Sequence, residues 1–337
     1  MKNPFRIAAP LLALLLLGCR AVPDAAAYAP PESERLTLCT SHKAEVYEPI
    51  VREFEERTGI WVTVVSGGTN ELLDRIAGGT LDAPADVMFG GGVESLLNAA
   101  DRFAPYESPE RGAVSDAYKT EDLRITPFSA LPIVLIYNTK LVDAGQVTGW
   151  QTLLDPAWRG QIAFANPAVS GSNYTALCTL CQVCGGDTKS TLEAFAANLA
   201  GQQLSGSGEV IAAVADGRLP IGVTLEETAK KYIRAGYDIG LVYPAEGTSD
   251  VPDGCAILLD APHRTNAERF VDFILGADVQ ELLSAEMFRR PVRDGIDVKS
   301  DLPDRAILSP IAYDYDWSVA QYDAILSLWA EQMEVQP

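Results

Sequence analysis

Positive charge is scarce in this chain: 26 lysines and arginines stand against 46 aspartates and glutamates, a formal net charge of −20. A surface that negative repels nucleic acid and gains nothing from an anionic bilayer, so neither is an expected partner. It does not exclude an anionic small ligand, because a local site can oppose the field of the whole molecule. Histidine is scarcer still, with only His42 and His263. Two are too few for a His-rich metal site, and for most catalytic triads unless His42 carries the role. Beyond the N-terminus no apolar run is long enough for a membrane-spanning helix. The G-x-S-x-G elbow, the Walker A loop and the H-E-x-x-H motif are also missing. Nothing positive argues for an enzyme, and no cofactor is expected.

What is present begins at the N-terminus. Lys2 and Arg6 flank the start of an apolar run, Ile7 to Leu17, that leads into Gly18-Cys19. A charged start, a short apolar core and a small-residue cleavage site describe a secretory leader over 1–19. Leu16-Leu17-Gly18-Cys19 resembles the bacterial lipobox, which implies that Cys19 receives a lipid and holds the protein at a membrane. Residues 20–34, rich in Ala and Pro, read as a flexible tether. An exported protein is expected, lipid-anchored to the cell membrane and facing the periplasm or the extracellular space.

Five further cysteines are Cys39, Cys178, Cys181, Cys184 and Cys255. The Cys178-x2-Cys181-x2-Cys184 run suggests an iron–sulfur or zinc site. It overlaps Tyr174 to Val183, however, which reads as a helix, and a fourth ligand is missing. Small buried cysteines or one disulfide are expected instead, and no metal centre.

About 300 residues follow the tether, enough for two lobes with real cores, and an apolar fraction of 47% fits a packed protein. Leu36 to Cys39, Trp61 to Val65 and Ala85 to Phe89 read as strands. Between them, His42 to Thr58 and Glu71 to Ala77 carry apolar residues at helical spacing. This βαβαβ start implies a parallel, doubly wound α/β sheet, whose ligands bind beyond the carboxyl ends of the strands. From Leu131 a second unit alternates strands (133–137, 161–164, 221–224, 239–243) with helices (171–183, 192–199, 209–215, 226–235). An apolar run at 256–259 and helices at 265–275 and 279–284 return to the first unit. The expected organisation is lobe 1 over 35–130 and 249–310, lobe 2 over 131–248, and a C-terminal helical segment over 311–337.

Three turns between strand and helix are small and polar: Ser66-Gly67-Gly68-Thr69, Gly90-Gly91-Gly92 and Ser170-Gly171-Ser172-Asn173. Helix starts present free backbone N–H groups and the positive end of a dipole; glycine admits a ligand to that backbone and Ser or Thr adds a donor. Such turns facing one cleft make a site for phosphate, phosphonate or carboxylate. Glu227 and Glu246, each after a strand of the second unit, are candidates to contact hydroxyl or amine groups. Glu226 reads as a carboxylate that complements a helix dipole.

Several stretches carry a family resemblance across nearly the whole mature chain. They are LTLCTSHKAEVYEPIVREFEERTGI, PADVMFGGG, IVLIYNTK, LVYPAEGTSDVPDGCAIL and, most specific, WQTLLDPAWRGQIAFANPAVSGSNY. They resemble the periplasmic ferric-ion-binding proteins and their relatives that bind sugar phosphates or phosphonates for ABC importers. The resemblance implies a two-lobed periplasmic-binding-protein type II fold, a hinged cleft that closes on a small ligand, and delivery to a membrane permease. The protein is expected to be a monomer. Within that family a ferric-site histidine would fall at His42, next to Ser41. The glutamate ligand would fall near Gly91, which cannot coordinate, and the tyrosine pair near Leu225 to Glu227, where there is none. Ferric iron is thus disfavoured, although another cation stays an alternative. The sugar-phosphate relatives are more similar at Ser66 to Thr69, Ser170 to Asn173 and Glu246. A secreted hydrolase or a surface adhesin on the same fold is the alternative of another class.

Overall fold

The computed structural model describes residues 29–298 and 301–335; the leader, Cys19 and residues 20–28 of the tether lie outside the described residues. The chain opens with β1 (Arg35–Thr40), α1 (Ala44–Thr58), β2 (Trp61–Ser66), α2 (Thr69–Ala77), β3 (Val87–Gly92), α3 (Val93–Asn98), β4 (Phe103–Ala104) and β5 (Thr126–Ala130). It then builds a second unit from β6 (Ile133–Asn138), α4 (Gln151–Leu154), β7 (Ile162–Ala163), α5 (Gly171–Cys184), α6 (Thr188–Leu199), α7 (Ser207–Ala215), β8 (Ile221–Leu225), α8 (Glu226–Arg234) and β9 (Ile239–Val242). It returns through β10 (Pro252–Leu258), α9 (Arg264–Leu275), α10 (Ala277–Glu286) and β11 (Arg290–Pro291), and finishes with α11 (Arg305–Leu308), α12 (Tyr315–Ala320) and α13 (Tyr322–Val335).

These elements form two sheets, one per lobe. Lobe 1 carries the order β11-β5-β10-β3-β1-β2, with β4 on β10, and lobe 2 carries β7-β8-β6-β9. β1 runs parallel to both β2 and β3. It lies between them, so nearly every residue from Leu36 onward is buried, as both faces of an inner parallel strand require. β2 is the sheet edge, and Trp61 at its start is exposed.

Each lobe has its own core. Leu36, Leu38, Ile50, Phe54, Phe89 and Phe270 centre lobe 1, where Phe54 and Phe270 meet edge to face at 5.2 Å. Trp150, Phe164, Tyr174, Phe195 and Trp329 centre lobe 2. The chain crosses between lobes at 131–132 and 249–251, where Leu131 N–H donates to Val251 O and Ile133 N–H to Ser249 O. The C-terminal helices span the same seam: α12 packs on α3 of lobe 1, and α13 on α6 of lobe 2.

The structure differs from sequence expectation at informative places. The Gly90-Gly91-Gly92 turn is instead the end of β3, with φ of 108° at Gly90 and 92° at Gly91, and α3 starts only at Val93. β10 starts at Pro252, four residues before the apolar run at 256–259, because Pro252-Asp253-Gly254 mimics a turn in sequence. β5 carries no periodic signal of its own and exists through pairing with β10 and β11. No disulfide forms among the described cysteines: all five are free, and all but Cys184 are buried.

Candidate functional site

A cavity of about 200 Å³ lies where the two lobes meet. Lobe 1 contributes Ser41, His42 and Lys43 from the β1–α1 loop, Gly68 and Thr69 from the start of α2, Gly91 and Gly92 from β3, Asp253 from β10, and Arg289 just before β11. Lobe 2 contributes Ser170, Gly171 and Ser172 at the start of α5, Gly206 and Ser207 at the start of α7, and Thr224, Glu227 and Thr228 around the start of α8. Four helix N-termini of nine residues or more therefore converge on one space. A helix start carries a partial positive charge and N–H groups that have no carbonyl partner within the helix.

Side-chain charge is arranged around a single buried arginine. Arg289 Nη1 donates to Asp253 Oδ2 at 2.5 Å and to Ser129 Oγ at 2.8 Å, and Arg289 Nη2 lies 4.0 Å from Glu227 Oε1 across the seam. Asp253 also accepts from His42 Nε2 at 2.5 Å and from the N–H and Oγ of Ser129. Burial pushes the Asp253 carboxyl up, but Arg289 and His42 outweigh it and hold it down at about 2. Burial drives the His42 pKa down against the pull of Asp253. Arg289 thus supplies the main compensating charge for Asp253. Glu227 follows the same logic: burial raises its pKa, while Arg289, Lys231 and Lys43 together bring it below the ordinary value. Lys231 Nζ stands 2.7 Å from Glu227 Oε2 and Thr228 Oγ1 donates to Oε1 at 3.0 Å.

The glycines at this site have steric reasons. A Cβ on Gly91 would stand 2.5 Å from Thr69 Cγ2, and its φ of 92° is strained for any other residue. A Cβ on Gly68 would press on Val169 O of lobe 2 at 3.3 Å. The lobes are closed on each other here, and Asn70 Nδ2 of lobe 1 donates to Ala168 O of lobe 2 at 3.1 Å.

Of the residues singled out from sequence, the cavity gathers Ser41, His42, Gly68, Thr69, Gly91, Ser170, Gly171, Ser172 and Glu227. Four others lie elsewhere. Ser66 is exposed at the end of β2, and Gly67 N–H closes the turn onto Thr40 O. Asn173 is buried behind the site, where its Oδ1 accepts from Ser170 Oγ and steadies the α5 cap. Glu246 accepts from Trp150 N–H and Gln151 N–H and caps the short helix α4. Glu226 stands at the start of α8, as read, but it is buried there in a bidentate pair with Arg290 of lobe 1 and accepts from Tyr243 O–H.

Sequence reasoning missed Gly206-Ser207, Thr224, Asp253 and Arg289. The first pair has the same small polar signature as the recognised turns and was findable. Asp253 and Arg289 sit on segments without periodicity, and only long-range pairing brings them to His42.

The family described as bacterial extracellular solute-binding protein matches residues 80–316, more than half of the chain. The chain belongs to that family. Its fold is the periplasmic-binding-protein type II fold, and the family is one of substrate-binding proteins rather than enzymes. It is 25% identical over 302 residues to iron uptake protein A1 of Synechocystis sp., covering 84% of this chain and 82% of that one. It is 22% identical over 286 residues to a putative 2-aminoethylphosphonate-binding periplasmic protein of Salmonella typhi, covering 82% and 83%. Among solved structures, the periplasmic binding protein AfuA from Actinobacillus pleuropneumoniae, with fructose-6-phosphate bound, superposes with a TM-score of 0.82. That match has 21% identity and covers 89% of this chain and 99% of that one.

Proposed function

We propose that this solute-binding protein is held at the membrane by a lipid on Cys19, binds a small phosphorylated or phosphonylated solute by hinge closure, and delivers it to an ABC permease. The observation that carries the ligand class is the convergence of the starts of α2, α5 and α7, bearing Thr69, Ser170, Ser172 and Ser207, on one cavity. Such a cradle favours an anion without adding mobile charge. The rest of the solute meets His42, Asp253, Glu227 and Arg289, a constellation suited to hydroxyl or amine groups. Relatives named for a phosphonate and for a sugar phosphate support the same class.

A relative named for iron uptake suggests a cation instead. A hard ferric ion asks for phenolate and carboxylate oxygens. No tyrosine is among the residues lining the cavity. Asp253 and Glu227 are already neutralised by Arg289 and Lys231, so the donor set favours the anion.

Thermal unfolding against sugar phosphates, phosphonates, free sugars, polyamines, amino acids and ferric iron tests the assignment. A ligand at a hundred times its dissociation constant stabilises the native state by about 2.7 kcal/mol. A shift with phosphorylated or phosphonylated compounds alone is expected. A shift with iron alone would remove the anion cradle from the account.

A further inference from the structure

Behind the cavity wall lies a carboxylate that the reading above does not use. Glu94, in the first turn of α3, is 1% exposed. Thr175 of lobe 2 donates its hydroxyl to Glu94 Oε1, and Glu94 Oε2 has no hydrogen-bond partner. Ser95 Oγ beside it is also buried and unpartnered. Two residues that line the ligand cavity, Gly92 and Thr175, lie directly against this carboxylate. A Cβ on Gly92 would come within 2.7 Å of both Glu94 oxygens. Thr175 stands one turn along the helix from Gly171, whose carbonyl it also bonds at 3.1 Å. Glu94 is therefore one wall away from anything seated on the start of α5.

Among the described residues no basic side chain pairs with Glu94. The titratable groups that sense its charge are Tyr174 and Cys178 of α5, Tyr313 just before α12, Tyr315 at its start, and Tyr322 of α13. Burial raises the pKa of every one, with Cys178 and Tyr322 each near 12. Burial likewise pushes the Glu94 carboxyl up to about 7, opposed only by Thr175 and its own backbone N–H. Asp253 and Glu227, at the same cavity, have Arg289 to hold them ionised; Glu94 has no such partner.

We propose that Glu94 makes ligand binding proton-linked: an anion seated on the starts of α2 and α5 binds together with the protonated form of Glu94, and drives proton uptake where Glu94 was ionised. The inference rests on the anionic-ligand reading. Two negative charges across a thin, poorly solvated wall disfavour each other, so the anion raises the proton affinity of Glu94. By reciprocity, losing that proton weakens the anion by the same factor. Affinity holds below about pH 7 and falls above it, by at most about tenfold per pH unit.

The test is calorimetric titration of the protein and of Glu94→Gln with fructose 6-phosphate, from about pH 5.5 to about 8.5, in buffers of differing ionisation enthalpy. The phosphate titrates near pH 6 itself, but contributes equally to both proteins, so their difference is the readout. Expected is a parent affinity that drops by about tenfold or more relative to the variant toward the alkaline end, with proton uptake that the variant lacks. Parallel profiles with binding retained would overturn the proton link and leave the ligand class standing. Binding by neither protein at any pH would overturn the ligand class, and the proton link with it. Thr175→Val gives a second reading: without its donor Glu94 holds its proton more tightly, so the decline moves to higher pH. A decline that stays in place would count against Glu94.

Discussion

Two buried carboxylates flank the same cavity and are treated in opposite ways. Asp253 has a guanidinium, an imidazole and a serine around it and stays ionised far into acid. Glu94 has one threonine hydroxyl and no basic partner, and its carboxyl is pushed up to about 7. Both are fully buried, so depth alone does not set charge. The partner does, because an unneutralised charge out of water costs far more than a protonated acid.

The largest expected effect breaks the paired side. Asp253→Ala leaves Arg289 buried without its main counter-charge and should cost about 3–5 kcal/mol in chemical denaturation. A loss below about 1 kcal/mol would mean that Glu227 alone neutralises the arginine. The unpaired side responds to pH with the opposite sign. The Glu94 pKa is raised on folding, so its stability contribution is complete below about pH 4.5 and is lost as pH rises through about 7. Glu94→Gln should therefore be more stable than the parent at alkaline pH, by roughly 3 kcal/mol, with no advantage below about pH 4.5. Asp253 behaves inversely, contributing above about pH 4 and failing only as pH falls to about 2.

Smaller effects sharpen the contrast by touching no buried charge. Ser172→Ala removes a neutral donor from the start of α5 and should weaken an anionic ligand by about 1 kcal/mol or more, read as a shift in Kd. Glu246→Gln alters a carboxylate outside the cavity. It should leave Kd unchanged and cost no more than about 1 kcal/mol of stability through a weaker helix cap; a change in Kd would place Glu246 in the ligand's reach after all.

The contrast between these carboxylates was invisible in sequence, for a reason seen along the whole chain. Local periodicity and turn chemistry are written in adjacent residues, so the stripe of Val46, Ile50, Val51 and Phe54 announced α1, and Gly59 its end. Ser170-Gly171-Ser172 announced a helix start in the same way. Glu94 is an ordinary first-turn glutamate by that measure, and only its burial and the approach of α5 make it unusual. Asp253 meets His42 from 211 positions away, and Arg289 joins from a segment with no pattern at all. Glu246 misled because a carboxylate after a strand looks the same whether it meets a ligand or a backbone.

The C-terminal helices carry a mechanical consequence. A body held to another by two neighbouring strips can both bend and twist about them. Here a third strip, Tyr313 to α13, anchors on lobe 1 through α12 and on lobe 2 through α13, with Tyr174 O–H bonded to Ser318 O between them. A third tie on a separate path removes torsion and leaves flexing. In the hinge closure proposed above, the two jaws would then meet in the same alignment on every stroke, much as a clasp guided on both sides cannot cross-thread.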